Sequence, residues 1–301
     1  MNAIEIHNLT KTFGNKKAVN GLNMTVPEGA IYGFIGENGS GKSTTEKMIC
    51  GLIHPNAGSI KLYGRDHTDP EVRARLGVLI EAPGCFPNIS VWGNMMIQAT
   101  NLGIENPQEE IAKVLKIVRM EGAASNKFRN CSLGMKQRIG IAFALLGHPK
   151  LLVLDEPING LDADGMRIMR EVLTDITQNY NSTVLISSHV LGELEKIATH
   201  YGIIRKGRMI REMTAEELEA SCRTFIALKA KDINRTKAAL DSRYTRVQKD
   251  ESGGIRVYDL TSPEEIVTFL YENGVTVSEI GRNKIGLEEY YIDLMHGEEK
   301  R

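Results

Sequence analysis

Near the start of the chain apolar residues recur at every second position. Ile4 and Ile6 alternate with polar neighbours, as do Leu22, Met24 and Val26, before Pro27-Glu28-Gly29 breaks the run ahead of the apolar stretch Ile31–Ile35. A period of two belongs to strands with one buried face, so the opening predicts a set of strands. The spacing then lengthens. Residues 43–50 fit a helix stopped by Gly51, Ile60 and Leu62 fit a further strand, and Ile111, Val114, Leu115 and Val118 mark a helical stripe entered through Asn106 and Pro107. Ile139, Ala142, Phe143 and Leu146 mark a second stripe. Runs 151–154 and 183–186 are short, almost wholly apolar and separated by a helical segment carrying Met166, Met169, Leu173 and Ile176, which fits parallel strands buried on both faces. The first two thirds therefore read as α/β.

After a hairpin-like stretch at 203–210, Thr214-Ala215-Glu216-Glu217 forms a capping box that opens a connecting helix, and a domain boundary is expected there. Beyond it the pattern predicts a strand at 225–228 and a helix at 233–240. Two strands around Ser252-Gly253-Gly254, a helix at 263–271, a strand at 275–280 and a closing helix at 287–295 follow. The order β-α-β-β-α-β is the ferredoxin-like pattern, so residues 216–301 are expected to form a small α+β accessory domain.

A chain of 301 residues exceeds what one core usually organises, which agrees with this division. Lys plus Arg (37) nearly cancels Asp plus Glu (38), leaving no field to hold a polyanion, and no nucleic-acid partner is expected. The longest apolar run, 139–146, falls far short of the roughly 20 residues a membrane span needs. The first 12 residues lack the apolar stretch of a secretory signal, so a cytoplasmic location is expected. Cys50, Cys85, Cys131 and Cys222 form no Cys-x-x-Cys pair and have no histidine at metal-ligand spacing, and they read as reduced packing residues.

Chemistry concentrates at three places. Gly36-Glu37-Asn38-Gly39-Ser40-Gly41-Lys42-Ser43 matches the phosphate-binding pattern G-x-x-x-x-G-K-[ST], and it lies between an apolar strand and a helix, as that pattern requires. Its glycines let successive N–H groups face phosphate oxygens, Lys42 adds a full positive charge, and the Ser43 hydroxyl can ligate Mg²⁺. Leu151-Leu152-Val153-Leu154-Asp155-Glu156 is an apolar strand ending in two carboxylates, a Walker B arrangement. Asp155 is expected to hold Mg²⁺ through water and Glu156 to polarise an attacking water. Between them lies Cys131-Ser132-Leu133-Gly134-Met135-Lys136-Gln137-Arg138, followed at once by a helix.

With that third element the chain resembles the ATPase subunits of ABC transporters, whose signature is Leu-Ser-Gly-Gly-Gln. Ser132 and Gly134 keep the second and fourth signature positions, while Cys131, Leu133 and Met135 depart from it. Further elements fall in family order over residues 1 to about 215. Phe13 stands where an aromatic ring stacks on adenine, Gly160-Leu161-Asp162 where the D-loop lies, and Ser187-Ser188-His189 where a histidine contacts the γ-phosphate. The resemblance implies a mixed-sheet P-loop ATPase domain with a helical subdomain at about 85–147. It implies ATP and Mg²⁺ as cofactors, bound by Phe13, Val19, Asn38, Gly39, Ser40, Gly41, Lys42, Ser43 and Thr44. Glu156, His189 and Lys42 would be catalytic, and Ser132, Gly134 and Met135 of a second copy would cap the nucleotide in a head-to-tail homodimer or equivalent pair. A separate membrane permease would dock around 83–92, leaving the chain peripheral on the inner membrane face. Where most relatives carry a glutamine, Gly77-Val78-Leu79-Ile80-Glu81-Ala82-Pro83 places Glu81, a third expected metal ligand beside Ser43 and Asp155. This Glu-Ala-Pro looks like the ATPases of bacitracin-resistance and lantibiotic-immunity exporters, so peptide-antibiotic efflux is expected. An exporter of a lipid, ion or polysaccharide, or a soluble non-transport ABC protein, is the alternative.

Overall fold

The structure, a computed structural model, describes every residue except 222, 223, 251, 252, 260, 300 and 301, with the side chains of 293 and 296–299 also left aside. Cys222 and Ser252, named above, lie outside the described residues. Two compact units are present, Met1–Ala215 and Glu216–Arg301.

The first unit opens with β1 (Asn2–Phe13) and β2 (Lys16–Pro27), whose buried residues Ile4, Ile6, Leu22, Met24 and Val26 are those of the alternating pattern. Next come β3 (Ile31–Ile35), buried at all five positions, helix α1 (Lys42–Ile49) and strands β4 (Ala57–Leu62) and β5 (Arg65–Asp66). The short α2 (Pro70–Arg73) leads to β6 (Leu76–Leu79) and then to a helical region of α3 (Val91–Asn101), α4 (Pro107–Ile117) and α5 (Leu133–Leu145). Strand β7 (Leu151–Asp155), α6 (Ala163–Tyr180), β8 (Thr183–Ser188), α7 (Leu191–Leu194) and the hairpin β9 (His200–Arg205) and β10 (Arg208–Thr214) complete the unit.

These strands form two sheets, an antiparallel one in the order β2-β1-β4-β5 and a six-stranded one in the order β10-β9-β3-β8-β7-β6. The second is parallel from β9 to β6 and antiparallel only at β10. A core of Ile4, Met24, Phe34, Met48, Val153 and Leu185, among others, joins the two sheets through α1. Strands β3, β7 and β8 are buried throughout, which explains their unbroken apolar runs.

Helix α5 begins at Leu133, earlier than its apolar stripe, because Ser132 caps it by accepting a bond from the Met135 N–H. It lies close on β6. A Cβ at Gly77 would stand 2.1 Å from the Ala144 carbonyl oxygen, and one at Gly140 would stand 2.8 Å from Leu79 Cδ1. Glycine at both positions is what lets helix and strand approach.

In the second unit, α8 (Ala215–Ser221) leads into β11 (Thr224–Ala230), α9 (Ile233–Asp241), β12 (Val247–Lys249), β13 (Ile255–Val257), α10 (Pro263–Glu272), β14 (Val277–Lys284) and α11 (Leu287–Glu299). Its sheet is antiparallel in the order β12-β13-β11-β14, over a core of Ile226, Leu228, Leu240, Val257, Ile266 and Leu270. The last strand starts at Val277, later than the pattern predicts, because the Val275 N–H closes α10 by bonding to the Leu270 carbonyl at 2.8 Å.

Replacing Gly77 with alanine is expected to push α5 off β6 and destabilise the fold by about 1–3 kcal/mol. A fall in the urea midpoint checks this, and an unchanged midpoint would mean that the helix shifts at no cost.

Candidate ATPase site

Because β3, β8 and β7 run parallel and in register, their C-terminal ends meet at one edge. Ile35 pairs with Ser188 and Asp155 with Ser187. This is the edge where parallel α/β sheets bind ligands.

The turn leaving β3 curls back through two left-handed glycines, Gly39 (φ 77°) and Gly41 (φ 115°). Gly41 could not be replaced without collision, since a Cβ there would lie 2.7 Å from the Ala18 carbonyl oxygen. Asn38 and Gly39 are exposed at the rim, Ser40 is buried, and Ser43 and Thr44 are half-buried at the start of α1. Lys42 is buried and folds over the turn, donating to the carbonyls of Gly36 at 2.6 Å and Glu37 at 3.3 Å. A glycine-rich turn at the start of a helix, with an ammonium folded over it, fits an anionic phosphate chain.

Below the loop, Asp155 Oδ1 accepts from Ser43 Oγ at 3.3 Å and from Ser187 Oγ at 2.8 Å. Glu156, next along, adopts φ 50°, a left-handed conformation costly for a residue with a side chain. Its N–H is held by Ser187, through Oγ at 3.1 Å and the carbonyl at 3.2 Å. The bend presents its carboxylate between the Lys42 ammonium, with Nζ 3.8 Å from Oε1, and the His189 ring, with Nδ1 2.7 Å from Oε2. The structure thus joins Lys42, Ser43, Asp155, Glu156 and His189, drawn from three stretches of chain: the start of α1, the end of β7 and the end of β8.

Ser132, Gly134 and Met135 stand apart from this cluster, at the N-terminus of α5. Ser132 is exposed, and Gly134 and Leu133 pack against the turn at 160–161: a Cβ on Gly134 would lie 3.4 Å from Leu161 Cδ2, and one on Gly160 2.9 Å from Leu133 Cδ2. Phe13 is 51% exposed at the end of β1, with Lys11 Nζ 5.2 Å from its ring centroid.

Two of the expected residues lie apart from this cluster. Val19 is wholly buried in the core, out of phase with Leu22, Met24 and Val26, because β2 shifts register around Asn20 and Gly21. Glu81 does not join Ser43 and Asp155. Its carboxylate is 70% exposed and pairs with Lys47 Nζ at 2.6 Å, and that ammonium holds the carboxyl below its usual range. A left-handed backbone at Glu81 (φ 66°) accompanies this placement.

One residue escaped the sequence reading. Glu46, on α1 one turn after Ser43, is fully buried and faces Asp155 and Ser187. Burial, and then the Asp155 charge, push its carboxyl well above the usual range. A charged residue in the stripe shared by Thr45, Met48 and Ile49 was the available signal. Among the described residues no cluster of three or more His, Cys, Asp or Glu stands ready to hold a metal alone. The donors at the strand ends, Ser43 Oγ and the Asp155 carboxylate, nonetheless suit Mg²⁺, which completes its oxygen shell with water and phosphate.

Residues 19–159 match the family model described as ABC transporter. Bacitracin transport ATP-binding protein BcrA of Bacillus licheniformis is 36% identical over 98% of this chain and 97% of its own length. The chain belongs to the ABC transporter family. As an ABC ATPase it binds ATP and hydrolyses it to drive transport, working in general with a second ATPase subunit and a membrane permease. Lantibiotic transport ATP-binding protein SrtF of Streptococcus pyogenes is 39% identical over 69% of this chain and 90% of its own. Among solved structures, cbiO1 from Clostridium perfringens superposes with a TM-score of 0.67 over 73% of this chain and 91% of that one, at 24% identity, a likeness of fold. Among the described residues of this ABC ATPase, no helix is long and apolar enough to cross a membrane.

Ser187→Ala removes the hydroxyl shared by Asp155 and the Glu156 N–H. It is expected to lower stability by about 1–3 kcal/mol, because both buried groups lose a partner. Thermal melting of the nucleotide-free chain reads this directly, and an unchanged melt would show that the network reorganises without it.

Proposed function

We propose that this ABC ATPase powers an exporter that removes peptide antibiotics of the bacitracin or lantibiotic type and so confers resistance or self-immunity. The observation that carries this reading is the match to the bacitracin transport protein, which runs along 98% of the chain and therefore through the second unit as well as the first. The lantibiotic relative supports it over the first unit.

In this reading the N–H groups from Asn38 to Thr44 and the Lys42 ammonium bind the phosphate chain, and the exposed Phe13 offers its ring face to adenine. Ser43 and Asp155 would hold Mg²⁺, which when bound neutralises charge on the phosphate oxygens. Glu156 acts as the base that polarises the attacking water. Its carboxylate is already aimed by the Ser187 contacts and by His189, whose Nδ1 grips Oε2 and leaves Nε2 for the γ-phosphate.

A lone chain lacks a donor on the outer side of the γ-phosphate. The exposed Ser132 hydroxyl, with Gly134, Met135 and the positive end of α5, supplies one to a second copy placed head to tail. ATP is then the adhesive of the closed pair, and hydrolysis releases it. Glu81 reaches a metal only by leaving Lys47, so its coordination belongs to the closed state.

A permease has a surface to meet. A groove of about 390 Å³ lined by Leu52, Leu79, Pro83, Leu102, Phe143 and Leu146 adjoins the Glu81 segment. Phe86 is 57% exposed beside it, on a loop pinned by Asn94 bonds to Phe86, Ile89 and Ser90, while Trp92 is half-buried. Attachment there keeps the chain in the cytoplasm on the inner face of the membrane. The second unit, whose strand order suits a ferredoxin-like fold, has the role of dimer support or regulation.

Glu156→Gln is expected to bind ATP and remain paired, eluting as a dimer on size exclusion with ATP. Elution as monomer would count against the head-to-tail scheme. In a purified complex with the permease, bacitracin or a lantibiotic is expected to raise ATP turnover several-fold. A complex that ignores both peptides but responds to a lipid would sink the substrate assignment.

A further inference from the structure

Glu46 is the most heavily buried carboxyl near the site, and neither of its oxygens makes a hydrogen bond of proper geometry. Helix periodicity explains where it points. Three residues after Ser43, it lies on the same inner face of α1, one turn deeper, and looks toward the ends of β7 and β8 at Asp155 and Ser187. Those two side chains are already bonded to each other. An unsatisfied carboxyl in an otherwise apolar stripe of Met48 and Ile49 is a burden on the folded chain that leucine would remove. Such a group gains its partner in the loaded state, and the charge that arrives nearest to it is the divalent ion expected at Ser43 and Asp155.

We propose that Glu46 is a positioning residue for that divalent cation, a second carboxyl stationed behind Asp155 that helps to hold the hydrated ion against the nucleotide. The proposal rests on the nucleotide-site reading above. It also explains why a carboxyl is kept on the buried side of a helix only 8 residues long. Outer-sphere groups of this kind typically change metal affinity about 10–100-fold when lost.

The test uses the full chain and Mn²⁺ as the probe. Wild type, Glu46→Leu and Glu46→Gln, each with one equivalent of a non-hydrolysable ATP analogue, are titrated with Mn²⁺ while electron paramagnetic resonance counts the free ion. Analogue affinity in EDTA and the melting temperature of the ligand-free chain are measured alongside. Glu46→Leu is expected to weaken Mn²⁺ binding by about tenfold or more, to leave analogue affinity in EDTA unchanged and to melt higher than wild type. Glu46→Gln, which keeps an oxygen, is expected to fall between the two. Wild-type Mn²⁺ affinity in Glu46→Leu would overturn the proposal whatever its melting temperature, and if that variant fails to fold, wild-type affinity in Glu46→Gln does so. A wild-type chain that binds neither analogue nor Mn²⁺ would overturn the nucleotide-site reading instead.

Discussion

The ladder of backbone hydrogen bonds that locks β3, β8 and β7 in parallel register is the constraint on which the site depends. Register fixes Asp155 beside Ser187 and the end of β3 beside the end of β8. A slip of one residue would turn every side chain of a strand to the opposite face. The Ser43 hydroxyl could then no longer reach the Asp155 carboxylate, and the Glu156 N–H would lose both Ser187 partners. Chemistry that needs oxygen atoms within about 3 Å of each other is thus held by strands whose side chains are almost wholly apolar.

A second layer of control is electrostatic. The Glu156 carboxylate sits between Lys42 and His189, each drawn from a different loop, so a single negative charge ties the phosphate loop to the end of β8. In the proposed reading, bound phosphate would compete for the same ammonium and loosen one side of that tie. A left-handed backbone raises the carboxylate at the strand end.

Much of this was legible in the sequence, for a physical reason. Phosphate loops and buried strands are written in contiguous residues, so 36–43 and 151–156 could be read where they stand, and the period-two and helical stripes located the longer elements, while the short β5, β6, α2 and α7 went unread. What stayed hidden depends on pairs far apart in the chain. Lys47 and Glu81 are 34 residues apart, and nothing local says that they meet. Val19 was named through the resemblance alone, and a register shift in β2, set by its pairing with β1, is what buries it. Glu46 went unread for the opposite reason: its place in the stripe of Thr45, Met48 and Ile49 was a faint signal, and only its complete burial shows it enclosed.

The glycine contacts between α5 and β6 carry a mechanical corollary. Strand β6 ends two residues before Glu81, and Ser132 opens the helix that Gly77 and Gly140 draw down onto that strand. At Gly77 the strand meets the helix backbone directly, and at Gly140 the helix rests on the Leu79 side chain, so the two elements pack closely. The segment that carries Glu81 and the helix that Ser132 opens therefore share one packed seam, and neither can shift without its neighbour making room.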